Sequence, residues 1–270
     1  MKKFNRLALP YQIWMYVLVG IPILFMIVLS FLEINGFDFT TARFSLAHFS
    51  NLPTGLKAFW LSMRYSFYAT VICLVLGYPM AYIISRSHFS NKYLVLVILI
   101  LPMWTNMLLR IKAIEIVSQP NGFFSNTFGF SLNFYGTPFA VILGMVMMYL
   151  PFMIFPIYTV LEKIDESLLE ASQDLGANRM KSFVKVTFPL SLKGVTSGII
   201  MVFLPCAMGF TISEILGGGN IQMIGNIVEN FFKRANNYSL GSLISLVIII
   251  LVLGSLVIIG KVDAEGETLL

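Results

Sequence analysis

Leu161-Glu-Lys-Ile-Asp-Glu-Ser-Leu-Leu-Glu-Ala-Ser-Gln-Asp-Leu-Gly-Ala-Asn-Arg-Met-Lys-Ser-Phe-Val-Lys-Val-Thr-Phe-Pro-Leu190 separates two long apolar runs. With the flanking Ser191 to Lys193 it forms the largest polar block, holding 10 of the 31 charges of the chain between residues 162 and 193. Asp165 is placed to cap a helix that carries Glu166 in its first turn. Leu168, Ala171 and Leu175 follow at spacings of three and four, and Gly176 supplies a left-handed stop. A second short helix is expected over 178–186, with Met180, Phe183 and Val184 on one face and Arg179, Lys181 and Lys185 on the other, ended by Phe188-Pro189. Two amphipathic helices this short are marginal alone and need a surface on which to lay their apolar faces. Either the end of the chain's own bundle or a partner protein would serve.

The sequence around this block is membrane-like. Of 270 residues, 57% are hydrophobic and 11% charged, and the mean hydropathy is +0.84. A soluble domain carries about 25% charge. The apolar excess is too large for one water-soluble core, which excludes a soluble enzyme, and the low charge excludes disorder. Six uncharged stretches reach the length a hydrocarbon crossing requires, at 7–32, 65–85, 93–109, 134–161, 194–213 and 238–260. The first is too long for a signal-peptide apolar region and lacks a small-x-small site, so it reads as a retained span. With six crossings, segments 1–6, 86–92, 162–193 and 261–270 share one side and hold 11 Lys/Arg in 55 residues. The opposite segments hold 7 in 80. The positive-inside bias therefore predicts a multi-pass membrane protein, bathed in lipids, with both termini and the 162–193 loop cytoplasmic. Because the basic residues are scattered between spans, no nucleic acid is implied. Cys73 and Cys206 lie in apolar runs away from any Cys/His cluster and read as core residues, so no metal site is expected. Proline or glycine interrupts every span, which suits a bundle that moves around a pathway.

Within the polar block, Glu170-Ala171-Ser172, three residues, Gly176, nine residues and Val186-Thr187-Phe188-Pro189 resemble the E-A-A, three, G, nine, I-x-L-P loop of ABC-importer permeases. Glu170, Ala171, Gly176 and Pro189 are identical to that pattern; Ser172, Val186 and Phe188 depart conservatively. The run Gly77-Tyr78-Pro79-Met80-Ala81-Tyr82 is similar to the second-span pattern of the same superfamily. Leu101-Pro102-Met103-Trp104-Thr105-Asn106 through Arg110, and Ile212-Ser213-Glu214-Ile215-Leu216-Gly217-Gly218, resemble the spermidine/putrescine branch, at its first of two permeases. Iron, sulfate, phosphonate and sugar permeases share the general layout.

The resemblance implies an all-α integral-membrane fold of six transmembrane helices, the type I ABC-importer permease fold, with a five-helix core and an extra N-terminal helix. The first helix and its external loop would occupy 1–64, the core 65–260 with the coupling loop at 162–193, and a cytoplasmic tail 261–270. It also implies that Glu170, Ala171, Ser172, Gly176, Ala177, Arg179 and Pro189 seat in a cleft of a cytoplasmic ATPase. The implied partners are a second homologous permease subunit, two ATPase subunits and an extracytoplasmic substrate-binding protein.

No G-x-x-x-x-G-K-[ST] occurs in the sequence, so ATP and magnesium are expected on separate subunits and this chain is expected to be no enzyme and to hold no cofactor. Its two histidines, His48 and His88, fall on opposite sides of the bilayer in the six-span topology, leaving no catalytic set. The spans contain no Asp, Glu, Lys, Arg or His, which disfavours a proton-coupled carrier. For a flexible polycation, Trp104, Asn106, Glu115, Tyr149 and Glu214 are the pathway candidates. Each has a plainer reading: packing or an interfacial belt for the aromatics, and a solvated span end or an ion pair with Arg110 or Lys112 for the glutamates. Arg110 would repel a polycation unless paired.

Overall fold

The structure, a computed structural model, describes residues 2–35, 38–46, 49–50, 52–87, 92–120, 122, 127, 129 and 133–267. Two compact units make up the chain, Met1–Phe59 with Asn226–Leu270, and Trp60–Gly225.

In the first unit, α1 (Lys2–Ser30) packs along the C-terminal helix of the chain, Tyr238–Glu267. An antiparallel hairpin, β1 (Leu32–Asn35) and β2 (Asp38–Phe44), follows α1 with Leu32 opposite Phe44 and Glu33 opposite Arg43. The Phe31 ring stacks on Phe44 at 6.1 Å and leans on Phe49 at 5.9 Å, which ties the hairpin to the end of α1. The apolar window of α1 is only 11% buried, and Trp14, Tyr16 and Leu24 project from the protein. In water such a surface would aggregate; in hydrocarbon it is the matching solvent.

The second unit contains most of α2 (Leu52–Arg86), followed by α3 (Lys92–Ile100), a 3-10 turn (Leu101–Trp104) and α4 (Met107–Ser118). The long helix α5 (Pro138–Leu161) comes next, then α6 (Glu166–Asp174) and α7 (Arg179–Ser182). A π-helical turn (Phe183–Thr187) leads into α8 (Phe188–Met208), and α9 (Thr211–Leu216) closes the unit. Ile224–Lys233 forms α10 and Tyr238–Glu267 forms α11. Helix α5 sits at the centre, with half of its apolar window buried against 33% for α2 and 39% for the helix that includes α8. Thr137 starts it by accepting a 3.3 Å hydrogen bond from the Ala140 N–H, and Pro138 occupies the first turn, where its missing donor costs nothing.

Helix α8 lies against α5 through Gly194 and Gly198, a small-xxx-small pair that lets two backbones approach. A Cβ on Gly194 would stand 2.9 Å from the Pro156 carbonyl oxygen and 3.0 Å from Ile157 Cα; one on Gly198 would meet Met153 Sδ at 2.7 Å. Gly144 plays the same part on the other flank of α5, where a Cβ would collide with Leu216 of α9.

The six-crossing expectation is overturned. Among the described residues, four helices are long and apolar enough to cross a membrane: Leu9–Ser30, Leu52–Arg86, Pro138–Leu161 and Arg179–Met208. A fifth crossing exists only if Leu94–Trp104 and Met107–Ser118, bent by 87°, count as one. The physical cause is local. Pro102 tightens the chain into a 3-10 turn, Thr105 is extended at φ −78° and ψ 155°, and Asn106 starts a new helix by accepting a 2.8 Å hydrogen bond from the Leu108 N–H. An uncharged run of sufficient length does not guarantee one straight rod. The last apolar stretch, Tyr238–Gly254, is shorter than a crossing within the described side chains. With the count goes the parity argument that put both termini on one side.

Because the nearest atoms at Gly194 are backbone, Gly194→Ala forces α8 away from α5 and should destabilise the protein by about 1–3 kcal/mol. Gly20→Ala, with nothing within 4 Å of the new carbon, should be neutral or slightly stabilising. Thermal unfolding of the detergent-solubilised variants checks the contrast; equal midpoints would show that the close approach is not stabilising.

Candidate functional site

Residues 162–193 form a small projecting knob at one end of α5 and α8. Asp165 caps α6, its carboxylate accepting a 3.0 Å hydrogen bond from the Ser167 N–H. The helix ends in a Schellman motif: the Gly176 N–H donates to the Gln173 carbonyl at 2.8 Å and the Ala177 N–H to the Ser172 carbonyl at 3.1 Å. Gly176 has φ +82°, a conformation that side chains with a Cβ rarely adopt. Asn178 then caps α7, accepting from the Lys181 N–H at 2.8 Å.

The second helix differs from its expected form. It does not stop at Phe188-Pro189 but runs on through a π turn, in which the Phe188 N–H donates to the Phe183 carbonyl, into α8. Pro189 lies in the first turn after that bulge and is absorbed there without breaking the rod. The expected apolar face also divides. Phe183 turns inward, while Met180 and Val184 stay exposed.

On α6, Leu168 and Ala171 are exposed and Leu175, at the tip, is 90% exposed. The opposite side, with Ser172, faces α7, and Ser172 Oγ shares a 2.6 Å hydrogen bond with Ser182 Oγ. Ser172 thus does more than preserve small size, since its hydroxyl pins the two arms of the knob together. Glu170 and Arg179 are exposed, Ala177 and Pro189 half-buried.

Beneath the knob lies a cluster that the residue-by-residue reading missed. The Tyr78 hydroxyl of α2 meets Ser191 Oγ at 2.8 Å, and Ser191 donates to the Phe188 carbonyl at 2.8 Å. Phe183 packs edge-on to Tyr78 at 5.9 Å and to Tyr82 at 5.4 Å, and Phe188 leans on Tyr78 at 5.8 Å. The signal was present as Tyr78 and Tyr82, one helical turn apart in the quoted second-span pattern, facing Phe183 and Phe188. Two long ion pairs join the start of the knob to neighbouring helices, Arg86 to Glu166 at 3.7 Å and Lys92 to Glu162 at 3.6 Å. Such partly exposed pairs contribute little energy but restrict orientation.

The pathway candidates are not gathered into one pocket. Trp104 ends the 3-10 turn and is 89% exposed, and Asn106 is occupied as the α4 cap. Glu115 is engaged by Lys112 at 2.7 Å and accepts from Gln119 Nε2 at 3.4 Å. Tyr149, half-buried on α5, packs on the Phe152 ring at 6.1 Å, and its hydroxyl lies 3.8 Å from where a Cβ on Gly209 would sit. Glu214 is exposed on α9, which packs against both α4 and α5. Arg110 Nε has no hydrogen-bond partner among the described residues. Cys73 and Cys206 are buried free thiols, and no group of three metal-ligating side chains stands together among the described residues. His48 and His88 lie outside the described residues.

The chain belongs to the binding-protein-dependent transport system inner membrane component family, which matches residues 1–261. It is an ABC-importer permease subunit that forms part of a translocation pathway. It is 35% identical to the spermidine/putrescine transport system permease protein PotB of Haemophilus influenzae, over 86% of this chain and 84% of that one. It is 33% identical to the PotB protein of Escherichia coli strain K12, over 88% and 89%. Its fold is that of a chain in the crystal structure of a bacterial ABC transporter that imports the acidic polysaccharide alginate, with a TM-score of 0.72 at 15% identity, covering 98% of this chain and 95% of that one.

Hydrogen bonds from Ser167, the backbone one foremost, hold the Asp165 carboxyl below its ordinary value. A depressed folded-state value means the cap contributes fully above the ordinary carboxylate range and is lost as pH falls through the depressed one. Amide exchange at Ser167, corrected for its intrinsic rate, should therefore accelerate on acidification in the native chain, while Asp165→Asn, which keeps the acceptor, should show no such step. The same step in both proteins would remove the cap from the account.

Proposed function

We propose that the knob is the coupling element of a polyamine importer, and that it docks in a cleft of a separate cytoplasmic ATPase through Leu168, Leu175, Met180 and Val184. The observation that carries this is the uncovered apolar stripe on two otherwise polar helices: the bundle leaves it exposed, so of the two surfaces that would serve, a partner remains. Glu170 and Arg179 flank the stripe and supply charge for register. The basic density of 162–193 supports a cytoplasmic location for the knob.

In the proposed cycle, ATP-driven closure of two ATPase subunits displaces the knob, and alternating access follows in a pair of permease chains supplied by an extracytoplasmic binding protein. Because α7, the π turn and α8 are one rod, displacement enters α8 without a hinge. Tyr78, Tyr82 and the Gly194–Gly198 seam pass it to α2 and α5. The ATPase shifts the equilibrium only through unequal contacts in the two states, which a cleft that closes on a knob provides. The solute reading rests on the two PotB relatives and on the exposed Trp104 and Glu214, which offer a polycation an aromatic face and a carboxylate without enclosing it.

Gly176→Val places a β-branched residue at φ +82°, at a cost of about 1–2 kcal/mol, and should reorient the knob. It and Glu170→Lys should reduce uptake to background while membrane insertion is unchanged; normal uptake by inserted variants would defeat the coupling role. The fully assembled transporter in vesicles should accumulate labelled spermidine or putrescine on addition of binding protein and ATP. Transport of a different solute alone would remove the polyamine assignment and leave the permease class standing.

A further inference from the structure

Helices α2 and α3 enclose a groove of about 310 Å³ whose lining is wholly apolar: Met80, Ile83 and Ile84 from α2, Val95, Ile98 and Leu99 from α3. Its walls open outward, with Ile83 61% and Ile98 60% exposed. Each wall is headed by a cation. Arg86 lies three residues beyond Ile83, and Lys92 three residues before Val95, so each belongs to the helical stripe that lines the groove. Lys92 Nζ donates to the Ser85 carbonyl at 2.8 Å, which brings the ends of the two helices together at the head of the groove.

The Arg86 guanidinium is mostly buried, its side chain 17% exposed. Nη1 reaches only the Ile164 carbonyl at 3.4 Å and Glu166 at 3.7 Å, while Nε and Nη2 have no hydrogen-bond partner among the described residues. Guanidinium donors left unpaired in the interior are costly, so the Arg86 side chain gains by turning toward the head of the groove, where its fork geometry matches a phosphate.

From this juxtaposition we infer that the groove is a lipid site: it seats one acyl chain of an anionic phospholipid, whose phosphate is held by Arg86 and Lys92. A chain in this groove buries methylenes against six aliphatic side chains, and the headgroup adds a second anionic partner for two cations whose ion pairs with the knob, at 3.7 and 3.6 Å, are long. Arg86 and Lys92 also pair with Glu166 and Glu162 of the knob, so headgroup and knob share one pair of cations. Lipid charge is thereby coupled to how firmly the root of the knob is held. The inference needs only that the chain resides in a membrane, and its test reads lipid rather than transport.

The full-length chain, purified with the subunits it assembles with, is equilibrated with phosphatidylcholine vesicles with or without phosphatidylglycerol, and retained lipid is read by native mass spectrometry. Phosphatidylglycerol should be retained about tenfold over phosphatidylcholine. Arg86→Gln with Lys92→Gln should abolish that preference while some lipid is still retained, and Ile83→Trp, which fills the groove without touching the charges, should lower retention of both lipids. Equal retention by the native protein, or an unchanged preference in the double variant, would overturn the site. So would efficient cross-linking of Ile98→Cys to the second permease chain, which would make the groove a subunit contact.

Discussion

The approach of α8 to α5 at Gly194 and Gly198 is the contact on which the rest of the second unit depends. Between lipid-facing helices there is no hydrophobic drive to associate, since lipid tails are as apolar as leucine, so association rests on van der Waals fit. Removing two side chains from α8 brings its backbone against the Pro156 carbonyl and Ile157 Cα, and a rod held at that distance cannot slide freely. Pro189, Pro151 and Pro156 fall on the same pair of helices, yet the rods remain continuous, because the π turn and the packing neighbour absorb what the missing donors leave. In the proposed function this rigidity is the useful property. A lever transmits only if the joint at its root is stiffer than the cleft that moves it.

The root of the knob combines two kinds of contact with different tolerances. The rings of Tyr78, Tyr82, Phe183 and Phe188 give area and allow small rotations, whereas the Tyr78 to Ser191 to Phe188 hydrogen-bond chain fixes one distance between α2 and α8. Buried hydroxyls in an apolar setting are expensive to leave unpaired, so this chain resists separation more than its net stabilising contribution suggests. The Ser172 to Ser182 bond serves the knob in the same way, closing its two arms at the level where α6 passes over α7.

How much of this could be read from the residues depended on the range of the forces involved. The first helix of the knob was legible in its cap and its stop: Asp165 and Gly176 act within four residues of themselves, and local capping does not wait for tertiary structure; the Asn178 cap of the second helix was not read. The apolar runs were legible as membrane segments, but the number of crossings was not, because hydropathy records composition and is blind to the Asn106 cap that bends the chain by 87°. The β1–β2 hairpin lay hidden inside what was expected to be a plain loop after the first span, although Asn35-Gly36 between two strand-like runs is a recognised turn signal. The ending assigned to Phe188-Pro189 failed because a proline rule presumes α-helical register, and a π turn suspends it. The cluster under the knob joins residues more than a hundred positions apart, and single-sequence periodicity carries no information at that range.

The placement of charge on α4 and α9 bears on how a polycation could be carried at all. Glu115 is engaged by Lys112, and Arg110 sets a further positive charge on the same helix, so α4 presents no deep acidic well. A strong carboxylate cage would bind a polyamine tightly and release it slowly, and conduction requires a site weak enough to leave. On the proposed function, Glu214, which is exposed, and Trp104, which is open to its surroundings, offer a polycation shallow attraction. Selectivity of that kind cannot discriminate between solutes by itself. On the proposed function the discrimination therefore falls to the protein that captures the solute outside, and the permease contributes a passage whose openness is set from its opposite end, where Leu175 protrudes.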